Sequence, residues 1–266
     1  MADLGRLASQ RALVRTYRTG DDYRRYSWEN AKRRRSLTRL YRRYRRYFGR
    51  RLVDVGCGGG VLGGVVEPHG HTYVGIDANP DMIRQARTVA RERSSRMRFI
   101  LGDAIRCRLA GVFDTVALLG NGLSHFSTLD LGALLDHRRK NVHRGSTFIV
   151  DYRDLIAMFW NGSWSRVKVQ TFVRGRVVHR ARSLDLDRGI LRMRAQPSSR
   201  EWLLNWSHAI WSPFILQSVM AAHGWQLIHR QAKSARADSV SAPEAITDVY
   251  RLGRTPIRRK ARPAIA

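Results

Sequence analysis

Short apolar runs alternate with helical patterns through the middle of the chain. Each run spans four to six residues and is rich in Val, Ile, Leu and Phe, which is typical of buried strands. The segments between them repeat apolar side chains at helical spacing. Strands are predicted at 51–55, 73–77, 97–101, 113–118 and 146–151, and helices near 61–67, 80–92 and 129–141. This alternation predicts a parallel sheet with helices on both of its faces.

The flanking segments follow other patterns. Residues 31–48 place Leu and Tyr at helical spacing, with arginine on the remaining faces, and this predicts an amphipathic helix. Residues 163–210 alternate apolar and polar positions between turn signals at Gly175 and Gly189, which predicts an inserted antiparallel sheet. Beyond the insert, the pattern predicts a helix near 213–223 and strands near 225–231 and 246–252.

Together these patterns predict an α/β chain with a mostly parallel seven-stranded sheet, N-terminal helices and an antiparallel β insert. We divide it into a basic helical segment or lid at 1–50, a main domain at 51–253 with the insert at about 163–210, and a basic disordered tail at 254–266.

Composition excludes several classes of protein. The two cysteines, Cys57 and Cys107, are too few for a disulfide framework or a four-cysteine zinc site, so no metal is predicted. The stretch 202–229 contains no Asp, Glu, Lys or Arg, but its Asn, Gln and His side chains make a membrane span costly. We therefore expect a buried strand followed by a helix there. With no apolar leader at 1–15, the expected location is cytoplasmic.

Charge is the least ordinary property of the sequence. The chain has 49 Lys and Arg against 21 Asp and Glu, a net charge of +28 at pH 7. Residues 1–50 carry a net +12 and residues 251–266 a net +6. Such basic termini can bind RNA through its phosphates. Because only five of these basic residues are lysines, a general preference for arginine explains the same numbers, and both interpretations stay open.

The most informative motif is a glycine loop, Val53-Asp54-Val55-Gly56-Cys57-Gly58-Gly59-Gly60, directly after the first predicted strand. Glycines at a strand-to-helix turn let the backbone approach a ligand closely. The spacing also satisfies G-x-G-x-x-G with Asp77 placed 19 residues after Gly58, as a nicotinamide dinucleotide site requires. The loop alone therefore fits two kinds of cofactor.

Two further acidic residues distinguish between the two kinds of cofactor. Asp54 lies inside the first strand and Asp103 ends the third, while Asp77 ends the second. In this order of acids around the loop, the sequence resembles class I S-adenosylmethionine-dependent methyltransferases. The resemblance implies S-adenosylmethionine as cofactor, with Asp54 near its ammonium, Asp77 on the ribose hydroxyls and Asp103 on the adenine amino group. It places further cofactor contacts at Gly56, Gly58, Gly60, Ala78, Ala104 and Leu119.

Two shorter motifs resemble the glycine N-methyltransferase family. They are Leu119-Gly120-Asn121-Gly122-Leu123-Ser124-His125 after the fourth strand and Asp151-Tyr152-Arg153-Asp154 after the fifth. Gly122 departs from that family, which has serine there. The resemblance implies direct methyl transfer to a small amine or amino acid, glycine being the best guess. Asn121 would orient the amine, and Arg153 would bind a carboxylate through its planar guanidinium.

An alternative keeps the same catalytic core and uses the basic termini to present RNA to it. The Pro-Pro-aromatic run typical of enzymes that methylate base amino groups is absent after the fourth strand, which counts against this alternative. The expected partners are a small-molecule substrate and, in the alternative, RNA, with no membrane. A homo-oligomer is a further expectation, since many members of such families assemble through their N-terminal segment.

Overall fold

The computed structural model describes residues 28, 30–165, 167–172, 175–197, 204–233 and 244–253. The helices are α1 (Ala31–Tyr44), α2 (Val61–Val66), α3 (Pro80–Glu92), α4 (Thr128–Arg138), α5 (Leu155–Trp160) and α6 (Pro213–Ala222). The first five strands are β1 (Arg51–Val55), β2 (Thr72–Asp77), β3 (Arg98–Leu101), β4 (Phe113–Leu118) and β5 (Val142–Arg153). The other six are β6 (Val167–Phe172), β7 (Gly175–Asp185), β8 (Ile190–Pro197), β9 (Leu204–Ala209), β10 (Trp225–Lys233) and β11 (Ala245–Leu252).

Seven strands form the main sheet in the order β10-β11-β5-β4-β1-β2-β3. The five strands from β3 to β5 pair in parallel, whereas β11 runs antiparallel to both of its neighbours. The predicted mostly parallel seven-stranded sheet is confirmed. Strands β2 and β3 extend the sheet to one side of β1, and β4 and β5 extend it to the other side. Ligands of open α/β sheets bind at such a reversal of strand order, beyond the carboxyl ends of the strands.

The strands of this sheet are apolar on both faces because helices cover both. In β1, Leu52 packs on the side of α1 and α2, while Val53 and Val55 pack on the opposite side with α4. All three side chains are at most 2% exposed. This two-sided burial explains why β1 and β4 carry apolar residues at adjacent positions rather than only at alternating ones.

The second sheet has four antiparallel strands in the order β6-β7-β8-β9. Its position in the chain, between β5 and α6, confirms the predicted antiparallel insert. No helix in the described ranges combines the length and apolar character needed to cross a membrane.

Several elements differ from their predicted extent by one to four residues, and one helix is additional. Helix α1 ends at Tyr44 and continues as one 3-10 turn, Arg45–Tyr47, instead of running to residue 48. Strand β5 begins at Val142, four residues early, and pairs with β11 almost to its end. Helix α5 was not predicted, because six residues are too few to show a helical period. The predicted tail at 254–266 and most of segment 1–50 before α1 lie outside the described residues.

Helix α1 is fixed by contacts at both ends. Asn30 caps it by accepting the backbone N–H of Arg33, and Leu37, Tyr41 and Tyr44 bury one face. The indole of Trp28 lies against Gly64 of α2, where any side chain would collide with it. The helix is thereby held beside the glycine loop that precedes α2.

A buried carboxylate joins the last two strands of the main sheet to β5. Asp248 is fully buried and accepts from Nε and Nη2 of Arg230 at 2.7 and 2.8 Å. It also accepts from the hydroxyls of Tyr152 at 3.1 Å and Tyr250 at 3.0 Å. These four donors compensate the lost hydration of the carboxylate, and the paired carboxylate in turn raises the pKa of the Arg230 guanidinium.

We expect Asp248→Ala to lower the free energy of unfolding by about 3 kcal/mol, because it leaves the half-buried guanidinium of Arg230 without its counterion and the hydroxyls of Tyr152 and Tyr250 without their acceptor. Urea denaturation measures this loss. Glu92→Ala is the matched control, since Glu92 is exposed on α3, and it should change the free energy of unfolding by less than about 0.5 kcal/mol. Equal effects of the two substitutions would contradict the assigned role of Asp248.

Candidate active site

The turn after β1 is built from glycines in left-handed backbone. Gly56, Gly58 and Gly60 have φ of 70°, 54° and 76°. The N–H groups of Gly56 and Cys57 both donate to the carbonyl of Ile76 in β2, at 2.8 and 3.0 Å. A Cβ on Gly56 would have no atom within 4 Å, so this turn borders open space in which a ligand can approach the backbone.

Gly60 and the next glycines of the motif have a different environment. A Cβ on Gly60 would lie 2.6 Å from the ring of Phe99, and one on Gly63 would lie 2.5 Å from the sulfur of Met97. These glycines let α2 pack closely on the sheet. Core side chains fill the space beside the Cα of Gly60. The predicted cofactor contact at Gly60 would therefore be made by its N–H or carbonyl group on the other side of the backbone.

Asp77, at the end of β2, is held by the backbone on both sides. One carboxylate oxygen accepts the N–H of Gly58 and the other accepts the N–H of Asn79, each at 2.8 Å. A carboxylate has about four acceptor positions, so both oxygens can still accept from neighbouring hydroxyls of a ligand. Burial raises the pKa of Asp77, while these two N–H groups oppose the rise. Ala78 continues the chain from Asp77 and is half-buried.

Asp103 follows β3 at the same edge of the sheet. Its Oδ1 accepts the N–H of Ile105 at 2.8 Å, which fixes the loop after β3. The carbonyl of Ala104 accepts from Nε and Nη2 of Arg138, at 3.0 and 2.6 Å. The loop that carries Asp103 and Ala104 is thus anchored to α4 by a buried arginine.

Asp54 lies in the interior, one residue before β1 ends. It is 4% exposed and accepts the hydroxyl of Tyr73 at 2.7 Å. Burial raises the pKa of Asp54 to about 7, and the Tyr73 hydroxyl and the charge of Arg33 oppose the rise. A neighbouring cation such as an ammonium group would favour the ionised carboxylate further.

Asn121 and Asp151 connect the ends of β4 and β5. Asn121 adopts left-handed backbone, with φ of 61°, and its N–H donates to Oδ1 of Asp151 at 2.8 Å. Its side-chain carbonyl accepts the backbone N–H of Arg153 at 3.1 Å, and its Nδ2 donates to Ser124 at 3.3 Å. The side chain of Asn121 therefore shapes the loop, and a ligand amine would share its carbonyl with Arg153. The exposed residue Arg153 borders the cavity described below.

Arg33 is a site residue that the sequence analysis missed. Its guanidinium lies against Gly120, where Nη2 would be 2.6 Å from a Cβ on that glycine. Its charge lowers the pKa of both Asp54 and Asp151 against the effect of burial, so it lies within electrostatic range of both carboxylates. Residues 33–35 are three consecutive arginines, and no local pattern shows which of them points to the sheet.

A cavity of about 1370 Å³ opens beside Asn121 and Asp151. It lies between α1, the ends of β5, β10 and β11, and the antiparallel sheet. Leu119 does not border it, since its side chain is 6% exposed and packs in the core with Leu37 and Tyr41. The predicted contact at Leu119 is thereby restricted to its backbone.

One wall of this cavity carries three histidines, His125, His179 and His208, from three different elements. The rings of His125 and His208 stand 5.6 Å apart at 78°. Burial lowers the pKa of His125 to about 4 and holds the pKa of His208 well below its ordinary value. These two imidazoles are therefore neutral at pH 7. Within the described ranges, no three His, Cys, Asp or Glu side chains are arranged to hold a metal ion.

The predicted site residues thus meet at the carboxyl ends of five adjacent strands. They follow the sheet in the order Asp103 after β3, Asp77 in β2, Gly56 and Gly58 after β1, Asn121 after β4 and Arg153 in β5. The open space beside Gly56, the acceptor positions of Asp77 and the buried carboxylate of Asp54 fit an adenosine linked to an amino acid.

Comparison with known proteins finds matches to the part of the chain that carries the glycine loop. Residues 52–145 match the family described as methyltransferase domain. A ubiquinone biosynthesis O-methyltransferase from Vibrio parahaemolyticus is 31% identical over 74 residues. That match covers 27% of this chain and 32% of the relative, so the chain aligns with about a third of the relative's length.

Solved structures show the fold over most of the chain. An S-adenosylmethionine-dependent methyltransferase from Clostridium acetobutylicum superposes with a TM-score of 0.67 at 13% identity, covering 85% of this chain and 93% of that one. A sugar N-methyltransferase from a Streptoalloteichus species gives a TM-score of 0.55 at 19% identity, covering 93% and 94%. At these identities the likeness establishes the class I methyltransferase fold.

Burial of Asp54 predicts a pH-dependent cost to stability. Because its pKa is about 7 in the folded chain and near 3.8 in the unfolded one, its stabilising contribution is complete below pH 3.8 and is lost as the pH rises to 7. We expect Asp54→Asn to gain stability relative to the wild type across that window, by up to about 1.4 kcal/mol per pH unit. Urea denaturation from pH 4 to 8 measures the difference, and a difference that does not change with pH would contradict the raised pKa.

Proposed function

We propose that this chain, whose residues 52–145 match the methyltransferase domain family, uses S-adenosylmethionine to methylate the nitrogen of a small amine or amino acid. The observation that carries the proposal is the acid–glycine–acid–acid set at the edge of the main sheet, directly beside a separate cavity. The glycine loop and its acids would hold the donor, and the cavity would hold the acceptor.

The charges around the loop match the two ends of the donor. Asp77 would accept from both ribose hydroxyls, and Asp103 would accept from the adenine amino group. At the amino-acid end, Asp54 would pair with the ammonium and Arg33 with the carboxylate, since the charge of Arg33 acts on Asp54. The donor supplies an electrophilic methyl group on a sulfonium.

The residues of the chain contribute position rather than covalent catalysis. The loop held by Asn121 and Asp151 separates the glycine loop from the cavity, so it borders both ligands. An acceptor nitrogen held there attacks in line, forms the new N–C bond and displaces the sulfur. Positioning of this kind contributes about 7–11 kcal/mol to catalysis. The methylated ammonium then loses one proton to water, since burial lowers the pKa of His125 to about 4 and makes its imidazole too weak a base to accept it.

Nitrogen as the methylated atom is supported by the family resemblance of the loop after β4 and by the sugar N-methyltransferase that shares the fold. Glycine is the simplest acceptor in this class. Arg153 borders the cavity at the end of β5, where its guanidinium could bind a carboxylate in two parallel hydrogen bonds.

We expect Arg33→Ala to weaken S-adenosylmethionine binding by about tenfold, because a charge-assisted hydrogen bond is lost. Isothermal titration calorimetry measures the dissociation constant. Arg35→Ala is the matched control, since Arg35 is exposed on the same helix and does not border the cavity. If both substitutions weaken binding alike, the donor responds to the overall charge and Arg33 has no specific contact.

The proposed reaction is tested by following the label from methyl-labelled S-adenosylmethionine. The full chain is incubated with glycine, a pool of small metabolites and total RNA together, and the products are separated by size and identified by mass spectrometry. We expect label in a small amine. Label confined to RNA would overturn the small-amine proposal and support the RNA alternative.

With an amino-acid acceptor, Arg153→Ala should raise KM about tenfold and leave donor affinity unchanged, because the acceptor carboxylate loses its partner. Steady-state kinetics and donor titration together measure this. Arg144→Ala, at the opposite end of β5, serves as the control. An unchanged KM in Arg153→Ala, or an equal rise in Arg144→Ala, would contradict the assigned contact.

A further inference from the structure

The face of α1 that borders the cavity is cationic along its whole length. Lys32, Ser36, Arg39 and Arg43 recur at intervals of four, three and four residues, so they share one side of the helix. All four line the cavity, as does the neighbouring Arg42. The helix contains no Asp or Glu, so no carboxylate on α1 compensates this charge.

Two further cations face the cavity from the main sheet. Lys233 in β10 and Arg153 in β5 both pair with Ala245 in β11, one from each side. Directly opposed residues point to the same face of a sheet, so these two side chains extend to the same side. Their Cα atoms lie about 10 Å apart, two strand spacings, with the small side chain of Ala245 between them. Both residues line the cavity.

Little negative charge opposes these cations. Asp151 is the one carboxylate among the described residues that line the cavity. It already lies within electrostatic range of Arg33 and accepts the N–H of Asn121. Across the described ranges, Lys32, Arg39, Arg43, Arg153 and Lys233 take part in no ion pair. Because the imidazoles of His125 and His208 are neutral, the histidine wall adds no charge to the cavity.

We propose that this cavity binds a small methyl acceptor that carries at least two negative charges, as phosphate or carboxylate groups, between the cationic face of α1 and the Lys233–Arg153 pair. The inference rests on the proposed function and names the substrate class for the same site. Cations that converge on one cleft raise the local concentration of anions and give charge-assisted hydrogen bonds to them.

The size and form of the cavity favour a small anion over RNA. Its volume of about 1370 Å³ exceeds the roughly 300–1,000 Å³ of common small-molecule sites, so an acceptor much larger than glycine fits. The cations lie on a helix and a sheet that border one cleft from two sides, whereas an RNA backbone needs basic side chains along an open surface. Arg35 and Arg45 of the same helical segment do not line the cavity, which provides a control for diffuse charge.

Pyrophosphate is the probe for the anion site. Its binding to the full chain, without methyl donor, is measured by isothermal titration calorimetry at pH 7.5. We expect binding of one pyrophosphate per chain. The double variant Arg39→Ala with Arg43→Ala should weaken it about tenfold, since two charge-assisted contacts are lost. Arg35→Ala with Arg45→Ala removes the same charge from the same segment and should change it by less than about twofold. Lys233→Met should weaken binding from the side of the sheet.

Equal weakening by the two double variants, or no binding to the wild type, would overturn the proposal. Citrate in place of pyrophosphate distinguishes carboxylate from phosphate recognition, and preferential binding of either supports the anion site. A short single-stranded RNA is tested by the same titration. If it binds more tightly than pyrophosphate and loses that affinity in the Arg39→Ala, Arg43→Ala variant, the cavity face is a nucleic-acid surface and the proposal fails. Since the titrations need no methyl transfer, a chain that binds pyrophosphate as expected but methylates nothing contradicts only the proposed reaction.

Discussion

The left-handed turn after β1 is the constraint on which the rest of the site depends. Gly56 and Cys57 both donate to Ile76, and Gly58 donates to Asp77, so three successive N–H groups tie this turn to the end of β2. A side chain at Gly56 or Gly58 would strain the backbone, because each has a positive φ. The turn therefore fixes the position of Asp77 and the start of α2 at once, and it leaves one side of the backbone open to a ligand.

The second requirement is that α1 stays against the sheet despite its charge. Its basic side chains repel one another across each turn, at about 0.2–0.5 kcal/mol per like-charged pair. Burial of Leu37, Tyr41 and Tyr44 offsets this, since a fully buried large apolar side chain contributes about 1.5–3 kcal/mol. Tyr44 adds a hydrogen bond of 2.6 Å to Gln231 of β10. The helix is thus held by its apolar face, which leaves its cationic face available to the cavity.

Sequence patterns predicted the fold more fully than the site. Strands β1, β2 and β4 follow from apolar runs, and α3 follows from Asn79-Pro80 at its start, because these signals are local. The acids Asp54, Asp77 and Asp103 could be selected because each occupies a strand end beside the glycine loop. Arg33 could not, since its role depends on how α1 docks over Gly120, and nothing in a run of arginines encodes that docking. The hydrogen-bond partners of Asp248 could not be predicted either, because Arg230 and Tyr152 are 18 and 96 residues away in the chain.

The glycine loop and the neighbouring cavity form two halves of one cleft and differ in how their charges are balanced. This difference favours a different kind of ligand in each half. At the glycine loop, Arg33 lies within electrostatic range of the carboxylates of Asp54 and Asp151, which suits a ligand end that carries both an ammonium and a carboxylate. Farther along α1, Arg39 and Arg43 take part in no ion pair among the described residues, and Asp151 is the one carboxylate in the same ranges that lines the cavity with them. A dianion placed in the first half would meet two buried carboxylates, and a zwitterion in the second would leave the cations uncompensated. In the proposed reaction each ligand would therefore be more stable in its own half, and the charge pattern would orient donor and acceptor across the loop that carries Asn121.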